Sequence, residues 1–170
     1  MIEVTHSQLD FSSYPDLLEH MMQEEQNGHI DYVVNCAAVV NMVGIESTFD
    51  IRNKSFAANV LIPKYLSAIC HKLKSKLIHF STDFVFSEYS KKAVGGKYDE
   101  FPVNIYGCQK LLGEMYIKEN MDPSEYSVFR VGWIYGCKTK KSFIHKFLKN
   151  AVNVKRTCKK EPPIAKVVSD

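Results

Sequence analysis

Three short runs rich in β-branched and apolar residues, separated by stretches with helical spacing of apolar positions, set the rhythm of this chain. The first, Asp31-Tyr-Val-Val-Asn-Cys-Ala-Ala38, ends in two small residues and reads as a buried parallel strand with its exit turn. The second, Lys76-Leu-Ile-His-Phe-Ser-Thr-Asp83, ends in hydroxyl side chains, and Tyr126-Ser-Val-Phe-Arg-Val131 is a third. Helical patterns run from roughly Ile45 to Lys72 and from Asn104 to Asn120, the latter with Leu111, Leu112, Met115 and Tyr116 as apolar members. Strands alternating with helices predict an α/β fold of right-handed βαβ units, with a parallel sheet covered on both faces. Ligands of such open sheets gather at the carboxyl ends of the strands, where Ala37-Ala38, Ser81-Thr82 and Gly132-Trp133 fall.

Composition narrows the class. A length of 170 residues, 45% of them hydrophobic and 24% charged, fits one domain able to bury a substantial core. No apolar stretch approaches the roughly 20 residues of a membrane span, and no signal segment follows Met1, so the expectation is a cytoplasmic protein without membrane contact. The five cysteines (Cys36, Cys70, Cys108, Cys137 and Cys158) are odd in number and lack a Cys-x-x-Cys pair, which argues for reduced thiols and against a metal site. Nine lysines and arginines lie between Lys138 and Lys160. This run reads as a solvated face and loose tail, or as attraction for a nucleotide diphosphate. The net charge of only +3 argues against nucleic acid.

The chemistry concentrates at Tyr106-Gly-Cys-Gln-Lys110. A tyrosine and a lysine four residues apart share a helix face. A phenol titrates near ~10 in water. A cation held beside it favours the phenolate, so the spacing predicts a lowered tyrosine pKa and proton transfer near neutral pH. Such pairs also arise by chance. Tyr106 at a helix start, Lys110 as surface charge and Thr82 as a loop cap are the ordinary alternatives.

Four ordered motifs add weight. Asn35-Cys-Ala-Ala38, Phe80-Ser-Thr-Asp-Phe-Val-Phe86, Asn104-Ile-Tyr-Gly-Cys-Gln-Lys-Leu-Leu-Gly-Glu114 and Arg130-Val-Gly-Trp-Ile-Tyr-Gly136 resemble successive motifs of the extended short-chain dehydrogenase/reductases. Within these the likeness is to the dTDP-4-dehydrorhamnose reductases and related nucleotide-sugar 4-ketoreductases, from about Leu9 to the end. The resemblance implies a Rossmann-like, doubly wound sheet in which residues 1–170 form a partial NAD(P)-binding domain, with a basic tail from about 151 to 170. It also implies two missing parts: the first βαβ segment with Gly-x-x-Gly-x-x-Gly, and a C-terminal substrate subdomain beyond Val167-Val-Ser-Asp170. We therefore expect an internal piece or remnant of a longer protein, with a complete short protein as the alternative.

By the same resemblance, Tyr106 is the general acid for a sugar C4 carbonyl, and Lys110 lowers its pKa and holds the nicotinamide ribose hydroxyls. Thr82 donates to the same carbonyl oxygen. Asn59, in Ala57-Ala-Asn-Val60, matches the asparagine that supports the lysine through water, or else is a polar interruption of a helix. Asp10 and Phe11 match the place where the adenine sits, and Ala37 and Ala38 are small where NADPH or NADH passes. Phe84, Met42 and Trp133 match positions contacting the sugar, and Asp83 lies beside them. Phe84 also replaces the cysteine of bifunctional epimerase/reductases, which predicts reduction without epimerisation unless another thiol such as Cys36 substitutes. The family's Val-Asp-x-Ala-Glu appears as Val43-Gly-Ile-Glu46, which puts the contacts of that loop in question. Ser87 to Pro102, with Gly95-Gly96, is a candidate lid or a variable surface loop.

Three functions follow: a 4-ketoreductase of a nucleotide-sugar, or its central piece; a non-catalytic subunit like the regulatory β subunit of methionine adenosyltransferase; or a degenerate domain without cofactor. The intact Tyr-Lys pair favours the first. A homodimer stays open.

Overall fold

The computed structural model describes residues 3–5, 8–91 and 98–134. Gly95-Gly96, the end of the fourth motif at Tyr135-Gly136, Cys137, Cys158, the basic run and Val167–Asp170 lie outside the described residues. The chain divides into two compact units, Met1–Val131 and Gly132–Asp170, and every element below belongs to the first.

A helix that the strand-centred pattern had passed over comes first: α1, Tyr14–Asn27, with Pro15 in its opening turn, where a missing N–H costs nothing. Strand β1 (Tyr32–Asn35) follows. The single helical pattern expected from Ile45 to Lys72 proves to be four pieces: α2 (Met42–Ser47), α3 (Phe49–Phe56), a π-helical turn (Ala57–Leu61) and α4 (Ile62–Leu73). Pro63 explains the π turn. It has no N–H for the carbonyl of Asn59 four residues back, and the turn loosens the helix where that bond is lost. Strand β2 (Lys76–Thr82), a 3-10 turn (Asp83–Val85), α5 (Ile105–Asn120) and β3 (Tyr126–Val131) complete the unit.

The sheet is parallel throughout, in the order β1-β2-β3, with Val33 opposite Leu77 and Phe80 opposite Phe129. One face is buried. Leu77 joins Leu17 and Met21 of α1, Ile62, Leu66 and Ile69 of α4, and Ile117 of α5 in the core. Further along that face the sheet turns polar, with Asn35, His79 and Ser81 all buried. Among the described residues, Tyr32, Val34, Phe80 and Phe129 alternate onto the other face and are exposed, the two phenylalanine rings 5.9 Å apart. No helix among the described residues is long and apolar enough to cross a membrane.

Candidate active site

The carboxyl end of β2 and the first turn of α5 meet edge to edge. Asn104 caps α5 by accepting from Gly107 N (2.7 Å), and Glu46 of α2 accepts from Ile105 N at the same terminus (2.7 Å). Glu46, whose loop contacts the motif comparison left in question, thus anchors the helix that carries the tyrosine. A Cβ on Gly107 would lie 2.3 Å from Phe84 O, so only glycine allows this helix so close to the 3-10 turn.

That closeness brings Tyr106 to Thr82. The Thr82 hydroxyl lies beside the phenol and acts on its titration, and the Phe84 ring packs edge-on to Tyr106 with centroids 6.2 Å apart. The Thr82 hydroxyl also accepts from Phe84 N and donates to Asp83 Oδ1, both at 3.2 Å. Burial pushes the Tyr106 pKa up, with the Asp83 carboxylate adding to the rise and the Thr82 hydroxyl opposing it. This corrects the expectation of a phenol acidified by Lys110.

The reason lies in where Lys110 points. Its Nζ donates to Phe80 O (2.7 Å) and lies 3.3 Å from His79 Nε2, and the residue is 1% exposed. Burial lowers its pKa to about 8, with Glu114 pulling the other way. His79 is fully buried, its pKa pushed down to about 3 by burial and then by Lys110. Nδ1 of His79 meets Asn35 Nδ2 at 3.1 Å, and Asn35 Oδ1 accepts from Ala37 N at 3.0 Å. A polar chain thus runs through the sheet from β1 to α5.

Asn59 is fully buried in the π turn. Its amide brackets the backbone of Val39, accepting from the N–H and donating to the carbonyl, both at 3.0 Å, and it also donates to Gln109 Oε1 at 3.1 Å. The side chain thereby fixes the loop carrying Ala37 and Ala38. Gly113 has no Cβ, and one there would sit 2.6 Å from Asn59 O, so α5 and the π turn touch backbone to backbone.

The remaining sequence candidates are more scattered. Ala37 is half-buried and Ala38 exposed on the loop after β1, and Met42 is partly exposed at the start of α2. Asp10 Oδ1 accepts from Ser12 N and Oγ, closing a local turn, while Phe11 packs on the core. Trp133 falls in the second unit, so it has no described relation to this site.

One cluster escaped the sequence reading although its residues sat inside the quoted motifs. Glu114, 1% exposed, accepts from Ser81 Oγ (2.5 Å) and from Arg130 Nε and Nη2, the latter at 2.6 Å. Arg130 reaches on to Glu100 and lies over the Phe86 ring. A glutamate on the inward stripe of α5 and an arginine on the inward face of β3 were the available signals, since buried charges are rare unless paired.

A Rossmann-like sheet with a threonine and a tyrosine in contact at its mouth, and a lysine one helical turn on, defines the short-chain dehydrogenase/reductase class. The chain belongs to the RmlD substrate binding domain family, whose model matches residues 1–159. Over 148 residues it is 31% identical to a dTDP-4-dehydrorhamnose reductase of Mycobacterium tuberculosis, covering 85% of this chain and 45% of the relative. Solved dTDP-4-dehydrorhamnose reductases share the fold: that of Clostridium acetobutylicum with TM-score 0.74 and 23% identity over 89% of this chain and 50% of the other, and that of Bacillus anthracis, in complex with NADP, with TM-score 0.72 and 23% identity over 88% and 50%. The chain spans about half the length of the relatives it matches.

Proposed function

We propose that this chain supplies the catalytic half of an NAD(P)H-dependent reductase acting on the C4 keto group of a nucleotide-linked 4-keto-6-deoxyhexose, of the dTDP- or UDP-4-dehydrorhamnose type. The contact between Thr82 and Tyr106 at the carboxyl end of β2 carries this reading. The family membership and the reductase names of the matched relatives support it.

The residues present suit the nicotinamide half of the cofactor. Ala37 and Ala38 leave the chain low beside the sheet mouth, and the Lys110 amine offers donors for ribose hydroxyls. Bound NADPH or NADH supplies the hydride. Tyr106, kept protonated by burial, gives its proton to the carbonyl oxygen as charge builds there. Thr82 turns its hydroxyl from Asp83 toward that oxygen and then toward the phenolate. Phe84 and Met42 would offer apolar surface to the sugar ring, and Asp10 and Phe11 are the residues that would meet the adenine. Phe84, where an epimerising enzyme would place a thiol, supports reduction without epimerisation. The free thiols Cys36, Cys70 and Cys108 support a cytoplasmic setting, and a homodimer is compatible with this reading.

Oxidation of NADPH or NADH by the purified protein with dTDP-4-dehydrorhamnose tests the reading. Stoichiometric formation of the 6-deoxyhexose at C4 is expected. Cofactor binding without ketone-dependent turnover would favour the regulatory-subunit alternative.

A further inference from the structure

Asn35, His79 and Lys110 form a buried chain whose protons are over-determined. Asn35 Oδ1 accepts from the backbone N–H of Ala37 at 3.0 Å, which fixes the orientation of the amide: a flipped side chain would set N–H against N–H. Nδ2 therefore faces His79 Nδ1 at 3.1 Å and donates to it, so Nδ1 bears no proton. A neutral imidazole must then carry its proton on Nε2. That proton points at Lys110 Nζ, 3.3 Å away, and only an uncharged amine has a lone pair to receive it. Nζ meanwhile donates to Phe80 O at 2.7 Å. An ammonium here would force two donors together at one end of the chain or the other.

We infer that His79, held in its Nε2–H tautomer by Asn35, is a positioning residue for Lys110: it donates to the lysine amine in its uncharged form and stows it in the cofactor-free protein. The inference rests on the reading of Lys110 as the cofactor-holding lysine. The charged groups around the pair agree. Glu114, one turn further along α5, is the carboxylate acting on Lys110, and Arg130 of β3 and Ser81 of β2 already occupy it. On the His79 side, Asn35 of β1 is uncharged. Burial lowers the pKa of both members of the pair, His79 to about 3 and Lys110 to about 8, so both are neutral above about pH 8. Engaging a cofactor then means withdrawing Lys110 from His79 and Phe80 O, with uptake of a proton.

Long-range proton–nitrogen correlation spectra of the histidine-labelled chain test this without any turnover assay, so the result is independent of whether the proposed reduction occurs. His79, identified by the signal lost in His79→Gln, is expected as the Nε2–H tautomer above about pH 8, with the Lys110 amine titrating well below an ordinary lysine. Asn35→Asp keeps the acceptor for Ala37 N but offers a carboxylate to Nδ1. It is expected to switch His79 to the Nδ1–H tautomer and to raise the Lys110 titration by on the order of one pH unit. An Nδ1–H or doubly protonated His79 in the unsubstituted protein overturns the inference. So does an Asn35→Asp protein in which both tautomer and lysine titration are unchanged.

Discussion

Thr82 sets its hydroxyl beside the Tyr106 phenol, and the threonine oxygen accepts from Phe84 N–H while its proton reaches Asp83. That hydroxyl is already engaged through both its oxygen and its proton. A bound carbonyl oxygen competes for groups that are already aimed, which is the preorganisation that makes such sites effective. Thr82→Val is therefore expected to lower kcat by about 10²–10³ with little change in fold, while Thr82→Ser keeps most of the rate. Steady-state kinetics with circular dichroism on both variants separates the two cases.

The glycines that bring α5 to the site set the distance. Alanine at Gly107 would meet Phe84 O at 2.3 Å, and at Gly113 Asn59 O at 2.6 Å, both backbone atoms that cannot rotate away. Helix propensity alone favours alanine by about 1 kcal/mol. The clash should outweigh it, giving net destabilisation of about 1–3 kcal/mol for each by urea unfolding. Gly107→Ala should also reduce turnover, because it displaces Tyr106 from Thr82.

The Glu114–Arg130 pair joins α5 to β3 beneath the site. Removing the carboxylate leaves a guanidinium with only Glu100 and partial solvent access. Breaking a buried pair costs about 3–5 kcal/mol, and Glu114→Ala should fall near the lower end because Arg130 retains a second partner. Denaturant midpoints for Glu114→Ala and for Glu114→Ala combined with Arg130→Leu measure it, the double variant being the less unstable.

Stability should also depend on pH through His79. Its pKa falls from 6.5 to about 3 on folding. The unfolded chain then binds more protons below 6.5, so this group's contribution is present above 6.5 and lost as pH falls. Between about 5 and 6.5, above the carboxylate range, unfolding free energy should rise with pH, by at most about 1.4 kcal/mol per unit. Lys110, lowered from 10.5 to about 8, has the same sign in a separate window between those values. Unfolding titrations on His79→Gln should lose the lower slope and keep the upper one.

Much of the fold was legible because strand signals are local. The runs at residues 31–38, 76–83 and 126–131 contain the three strands, and Tyr106 and Lys110 share a buried helix face as their spacing requires. Helix α1 was legible in principle, with Pro15 at its start and Leu17, Leu18 and Met21 at helical spacing, but its many polar residues diluted the pattern. The division of the region after Asn41 turned on caps: Asn41 accepting from Gly44 N, and Thr48 ending α2. The direction of the Lys110 amine was not legible. Two contacts decide it, His79 and the Phe80 carbonyl, and both depend on which face of β2 packs against α5. The Glu114–Arg130 pair depends on pairing across the sheet in the same way.

The central claim, that the Tyr106 phenol is the proton donor in ketone reduction, is tested most directly by Tyr106→Phe. Ketone-dependent NADPH oxidation and NADPH affinity should be measured side by side on the variant and the unsubstituted protein. We expect kcat to fall by about 10²–10⁴ while the cofactor Kd stays within a few-fold. Turnover retained at the unsubstituted level would contradict the account.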